Sequence, residues 1–253
     1  MEENIMAIVM AAGKGTRMKS KKSKLVQKIY GKEVVKRAVE NAEKAGVKDI
    51  VAVVGYMKEE VMAVLGDRVK YANQDEMLGT GHAVMQAKEF LKGKKGKVLV
   101  LNGDVPLIRP ETLNKLIEKS VENKEYVTLL TAIYDNPTGY GRIVRDEGGN
   151  ISAIVEEKDT TEEQKEIKEI NAGIYCFDIE ELLAALEKIK PNNAQGEYYL
   201  TDVVQIMNEK GLKTGAVIVE DNTEILGIND RIQLEMLTKV LQMRINTEHM
   251  KKG

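Results

Sequence analysis

Several kinds of protein are excluded by what this chain lacks. A single cysteine, Cys176, leaves no partner for an internal disulfide and fits a reducing compartment. The only histidines, His82 and His249, stand far apart, so a histidine-built zinc site has too few ligands. No apolar run approaches the roughly 20 residues needed to span a bilayer. The N-terminus shows no secretory pattern, because acidic Glu2 and Glu3 precede the first short apolar run. Tryptophan is absent, and aromatics do not interleave with the lysine cluster near the N-terminus, which argues against a nucleic-acid surface. The net charge of -2 would require a local patch for any nucleic-acid or membrane-surface role. A soluble cytoplasmic protein without nucleic-acid or membrane partners is expected.

What is present suits a folded domain. Hydrophobic residues make up 43% and charged residues 31% of 253, enough to bury a sizeable core. IMAIVMA, DIVAVVG, VKYANQ, KVLVLNGD and VTLLTAI read as β-rich runs. Between them, KEVVKRAVENAEKAG, KEEVMAVLG, GTGHAVMQAKEFL and ETLNKLIEKSVENK carry helical spacing. This alternation predicts an α/β fold, Rossmann-like, with a mostly parallel or mixed sheet flanked by helices. After residue 135 the pattern changes. DNPTGYGRIVRDEGGNISAIVEE predicts a hairpin turning at Gly148-Gly149, followed by a charged helix at TTEEQKEIKE. INAGIYCFD, IEELLAALEKI, NNAQGEYYLTDVVQIMNEKG and GAVIVE read as strand, helix, loop plus helix, and strand. DRIQLEMLTKVLQMRINTEHM predicts one long terminal helix. Leu234, Leu237, Leu241 and Ile245 would share its apolar face, widened by Met236, Val240 and Met243.

The first strand runs into Ala11-Ala12-Gly13-Lys14-Gly15-Thr16, with Arg17 and Lys24 close behind. A P-loop needs four residues between its glycines, whereas only Lys14 separates Gly13 from Gly15. The dinucleotide fingerprint needs a third glycine where Met18 stands. A small-residue turn still lets consecutive N–H groups approach an anion. Lys19, Lys21 and Lys22 read as solvated surface charge, and Gly13, Arg17 and Lys24 as the functional set.

AAGKGTRM followed by a lysine resembles the signature of the sugar-phosphate nucleotidyltransferases. NQDEMLGTGHA, LNGDVPLI, NPTGYGRI, IVEEKD, EINAGIY, NAQGEYYLTD and GINDR extend the resemblance over nearly the whole chain. Their order and spacing are similar to the uridyltransferase half of the bacterial bifunctional enzymes that make UDP-N-acetylglucosamine. The resemblance implies UTP and N-acetylglucosamine 1-phosphate as substrates, Mg2+ as cofactor, and direct in-line attack with release of pyrophosphate. Arg17, Lys24 and Asp104 would then be catalytic, with no covalent nucleophile required. Met10, Ala11, Ala12, Gly13 and Lys24 would hold the nucleotide, and Gln74, Gly79 and Thr80 would read the uracil. Asn102, Gly103, Asp104, Gly141, Glu156, Asn171, Thr201 and Asn229 would form the sugar-phosphate side. Asp104 and Asn229 would be the metal ligands.

Each residue also has a plainer reading. Thr80 could cap the helix that it begins, and either Asn229 or Asp230 could cap the terminal one. Asp104 could belong to a turn before Pro106, and Glu156 could be an exposed strand end. His82 is read as packing or a hydrogen bond rather than as a general base. Tyr198 and Tyr199 cannot both be assigned to a pocket.

The chain departs from many relatives at Ser23, where proline is common, at Gln27, where histidine is common, and at Glu33, where proline is common. A less rigid loop around Lys24 is expected from the first two. Asn102 stands where tyrosine is frequent before Gly-Asp. The bifunctional relatives continue into a β-helix acetyltransferase domain, for which no counterpart is expected here. The chain is read as a uridyltransferase domain over 1–229 and a helical arm over 230–253, through which copies could self-associate. A uridylyl- or thymidylyltransferase acting on glucose 1-phosphate, and a non-catalytic nucleotide-sugar sensor, remain the alternatives.

Overall fold

A computed structural model describes residues 4–253, so Glu2 and Glu3 lie outside the described residues. The run IMAIVMA becomes β1 (Ile5–Ala11), buried on both faces as a central parallel strand should be. A two-residue hairpin then follows that pattern alone did not reveal, β2 (Lys28–Ile29) and β3 (Lys32–Glu33). It turns at Tyr30 and Gly31, both at positive φ. Helix α1 (Val34–Lys44) buries Val34, Val35, Ala38, Val39 and Ala42, one stripe at helical spacing.

β4 (Asp49–Val54), α2 (Lys58–Leu65) and β5 (Lys70–Asn73) continue the alternation. The helix expected at GTGHAVMQAKEFL divides into α3 (Thr80–Gln86) and α4 (Lys88–Leu91). Ala87 donates to Val84 O rather than one residue further back, which tightens the turn and ends the first piece. β6 (Lys97–Asn102), α5 (Pro110–Glu122, with Pro110 in its first turn) and β7 (Val127–Ile133) complete the first half.

The predicted hairpin is β8 (Arg142–Arg145) and β9 (Ile151–Val155). The charged helix shrinks to one turn, α6 (Glu162–Lys165), because a Thr161–Gln164 capping box starts it but no apolar stripe follows to hold it. β10 (Glu169–Asp178), α7 (Ile179–Leu186), α8 (Asp202–Glu209), β11 (Thr214–Ile218) and α9 (Arg231–Lys252) follow.

The strands lie in the order β11-β7-β10-β6-β1-β4-β5, with the β8–β9 hairpin attached to β10. Pairing along this order is parallel except at β10, which runs antiparallel to β6 and β7, and the attached β8–β9 hairpin is antiparallel. One core lies on each face of this sheet. A third, smaller cluster joins Met18, Ile29, Leu107 and Ile228 to Leu237 of α9. Leu234, Val240 and Leu241 pack there too, whereas Met243 points to solvent and does not widen the packed face. Among the described residues no helix is long and apolar enough to cross a membrane.

Candidate functional site

The carboxyl ends of β1 and β6 adjoin in register, Met10 beside Asn102, and the chain opens there into loops. Two cavities meet at that edge, of about 260 and 520 Å³. Met10, Thr80, Asn102 and Asp104 line both, so they form the shared floor.

The smaller lobe collects Ala12, Gly13, Lys24, Gln74 and Gly79. Gly13 is exposed, and the N–H groups of Gly13, Lys14 and Gly15 have no backbone acceptor among the described residues. That is the composition of an anion-binding nest. Gly15 takes φ 59, and a Cβ there would lie 2.9 Å from Cγ and Cδ of Lys24. The glycine therefore admits the lysine stem beneath the turn. Ser23, buried, accepts from Leu25 N at 3.3 Å and donates its own N–H to Glu60 Oε2 at 2.8 Å. Serine thus anchors the Lys24 turn by capping.

Lys24 Nζ forms an ion pair with Asp104 Oδ2 and donates to Asn229 Oδ1 at 3.2 Å. Asp104 O accepts from Ile228 N at 3.0 Å, which draws the Asn229 loop to the end of β6. Asp230, not Asn229, caps α9 by accepting from Gln233 N at 2.8 Å. The Asn229 side chain is consequently left for the site, while the Asn229 backbone N–H donates to Gln233 Oε1 at 2.7 Å. Arg17 lines the larger lobe, exposed and without an acceptor among the described residues.

At the far end of the small lobe, Gln74 Nε2 donates to Gly79 O at 3.2 Å and faces His82 Nδ1 at 3.2 Å. Thr80 does not cap α3; its Oγ1 accepts from Leu200 N at 3.1 Å. Gly81 N to Tyr198 O at 2.7 Å and Tyr198 N to Leu78 O at 2.8 Å zip the 78–81 and 198–200 segments together.

The larger lobe brings Gly141, Glu156, Asn171 and Thr201 into one wall. Asn171 donates to Tyr175 Oη at 2.7 Å and accepts from Gly173 N at 3.0 Å, holding a bulge in β10. Asn102 donates to Gly173 O at 3.1 Å and so supports that bulge from β6. Glu156 Oε1 accepts from Thr201 Oγ1 at 3.3 Å. Burial raises its pKa above the usual 4.5; the Thr201 bond opposes the rise, and the charges of Asp159, Asp202 and Glu197 add to it. Behind this wall Arg142, only 1% exposed, bonds Tyr140 O and pairs with Glu157 Oε2 at 2.8 Å. One guanidinium thereby ties the residue before Gly141 to the residue after Glu156.

Two named residues are not brought to a cavity. Ala11 packs in the core, and Gly103 is buried with its N–H on Met10 O at 2.9 Å. Conversely, Tyr140, Glu197, Gln233, Met236 and Leu237 line the lobes without having been named as site residues. Gln233, Met236 and Leu237 carried no signal beyond helical spacing, because their role depends on α9 folding back over the site.

Comparison with known proteins accords with this arrangement. The chain is 54% identical over 251 residues to the bifunctional protein GlmU of Caldanaerobacter subterraneus subsp. tengcongensis, covering 99% of this chain and 54% of the relative. Its identity to GlmU of Acetivibrio thermocellus is 50%, with the same two coverages. The chain thus spans about half the length of the curated relatives it matches. A Bacillus anthracis protein named for glucose-1-phosphate thymidylyl transfer shares the fold at a TM-score of 0.75, with 20% identity, covering 93% of this chain and 94% of that one. The sequence model described as nucleotidyl transferase matches residues 6–226, and on that extent the chain belongs to the nucleotidyl transferase family.

Proposed function

We propose that the chain transfers the uridylyl group of UTP to N-acetylglucosamine 1-phosphate, forming UDP-N-acetylglucosamine and pyrophosphate. The observation that carries the reading is the convergence of Lys24, Asp104 and Asn229 at the junction of the two lobes. The small lobe would take the nucleotide, its base at Gln74, Gly79 and Thr80 and its phosphates at the Gly13–Gly15 amides. The larger lobe would take the amino sugar at Gly141, Glu156, Asn171 and Thr201. A sugar-phosphate oxygen then bonds the α-phosphorus as its bond to the bridging oxygen breaks, and pyrophosphate leaves with that electron pair. Nucleophilic side chains are unnecessary because the acceptor is already anionic.

What this step needs is positioning and charge compensation. Two polyanions must be held at contact, and Lys24 in the small lobe and Arg17 in the larger one supply fixed positive charge. Asp104 and Asn229 aim a carboxylate and an amide oxygen at one point where a cation already sits, the Lys24 ammonium. That oxygen-only donor set fits Mg2+, which takes few protein ligands and completes its shell with water and phosphate. Bound there, the ion would neutralise charge on the phosphates. Among the described residues no cluster of three acidic, histidine or cysteine ligands exists.

The test is pyrophosphate release with magnesium across a panel of nucleotides and sugar 1-phosphates. UTP with N-acetylglucosamine 1-phosphate should be the preferred pair. Preference for glucose 1-phosphate or dTTP would redirect the assignment, and absence of turnover with every pair would favour a sensor.

A further inference from the structure

His82 lies beside the base end of the small lobe and has no task in the transfer step. Its ring nitrogens nevertheless face two amides: Gln74 Nε2 at 3.2 Å from Nδ1, and Gln86 Nε2 at 3.1 Å from Nε2. The orientation of the Gln74 amide follows from chemistry alone. Its inner atom sits 3.2 Å from Gly79 O, and a carbonyl oxygen only accepts, so that atom is the NH2 group. The same NH2 group then faces His82 Nδ1, which must be an unprotonated acceptor. The proton of the neutral ring is then on Nε2, and the half-buried Gln86 side chain swings away from that nitrogen, giving up its bond to His82 O, a freedom the buried Gln74 lacks.

The consequence appears at the other end of Gln74. The residue is 4% exposed and lines the small lobe, and its Oε1 receives no donor among the described residues. With both N–H bonds of the NH2 group engaged inward, the carbonyl oxygen is the end left for a ligand. A fixed acceptor there matches a base edge carrying an N–H. Uracil has one at N3; cytosine has a bare nitrogen at that place and would meet Oε1 lone pair to lone pair. From this geometry we infer that His82 is a positioning residue for base selection: its Nδ1 lone pair, together with the Gly79 carbonyl, holds the Gln74 amide in the orientation that accepts uracil and rejects cytosine. The inference rests on the proposed use of UTP and adds a residue that determines the choice of base.

The experiment compares kcat/KM for UTP and CTP, at saturating N-acetylglucosamine 1-phosphate, in the full chain and two variants. His82→Leu removes one of the two acceptors that hold the NH2 group, leaving Gly79 O, and should lower the UTP:CTP ratio by about fivefold, the weight of one hydrogen bond. His82→Asn places an oxygen near the Nδ1 position and should hold the ratio within about two-fold of the parent. The KM for the sugar phosphate should be unmoved in both, a split that general loosening would not produce. A ratio unchanged in His82→Leu, or one that His82→Asn fails to restore, overturns the lock. Should either variant misfold, nitrogen-15 NMR of the parent reads the tautomer directly, with only two imidazoles to assign. A proton on Nε2 of His82 supports the inference, and one on Nδ1 refutes it. Failure of the parent to use UTP at all would instead sink the functional proposal, while leaving the tautomer measurable.

Discussion

Replacing Gly79 by alanine should unfasten the nucleotide lobe. Gly79 holds φ 110 and ψ 177, a region that L-residues occupy only under strain of about 1–3 kcal/mol. A Cβ there would also lie 2.6 Å from Tyr198 O and 2.9 Å from Glu197 Cβ, neither of which is a flexible tip. The two segments must separate, which stretches the Gly81–Tyr198 and Tyr198–Leu78 backbone bonds. At roughly 0.5–1.5 kcal/mol for each bond, strain and lost bonds together come to about 2–6 kcal/mol. That is a large part of the roughly 5–15 kcal/mol by which domains are stable. Urea unfolding measures it, with Gly211→Ala as the control: Gly211 has φ 70 but nothing within 4 Å of its added Cβ. Because the Gly79 carbonyl also holds Gln74, the KM for UTP should rise while that for the sugar phosphate changes little. A midpoint for Gly79→Ala no lower than that of Gly211→Ala would refute the steric argument.

Glu156→Gln should stabilise the fold while impairing use of the sugar phosphate. The raised pKa of Glu156 means that its ionised form is disfavoured in the native state, so stability is lost as pH rises through and above the usual 4.5. The variant's advantage in thermal denaturation should therefore be present at pH 7 and vanish in acid below that value. Arg142→Met should destabilise the fold, because it removes the buried guanidinium that bonds Tyr140 O and pairs with the partly exposed Glu157, and should raise the sugar-phosphate KM more than the UTP KM. Equal effects on both substrates would deny Arg142 a local role. Asp230→Ala should cost about 1 kcal/mol for the lost helix cap. It should also raise the magnesium concentration needed for half-maximal rate, because Asn229 is held by the same turn; an unchanged requirement would separate the cap from the site.

Much of the sheet was legible because β1, β4, β6 and β7 are continuous apolar runs, the mark of strands buried on both faces. The antiparallel placement of β10 was not legible, since its direction is set by pairing with β6 and β7 rather than by its own residues. Short local devices escaped for the same reason. The β2–β3 hairpin rests on Tyr30 at φ 47, a conformation that tyrosine does not advertise. At the site, Lys24, Asp104 and Asn229 could be named from motifs, but their mutual contact spans 80 and 205 residues of separation. The competing caps at Asn229 and Asp230 were indistinguishable until Gln233 N chose Asp230. Arg142 gave no hint of burial, because an arginine in a hairpin, like its neighbour Arg145, reads as surface.

The most direct test of the central claim, that charge at the junction of the lobes drives the transfer, is pyrophosphate release by Asp104→Ala as magnesium is varied. The account predicts a folded variant whose turnover of UTP and N-acetylglucosamine 1-phosphate is abolished at every magnesium concentration. Turnover at the parental rate, with the parental dependence on magnesium, would contradict it.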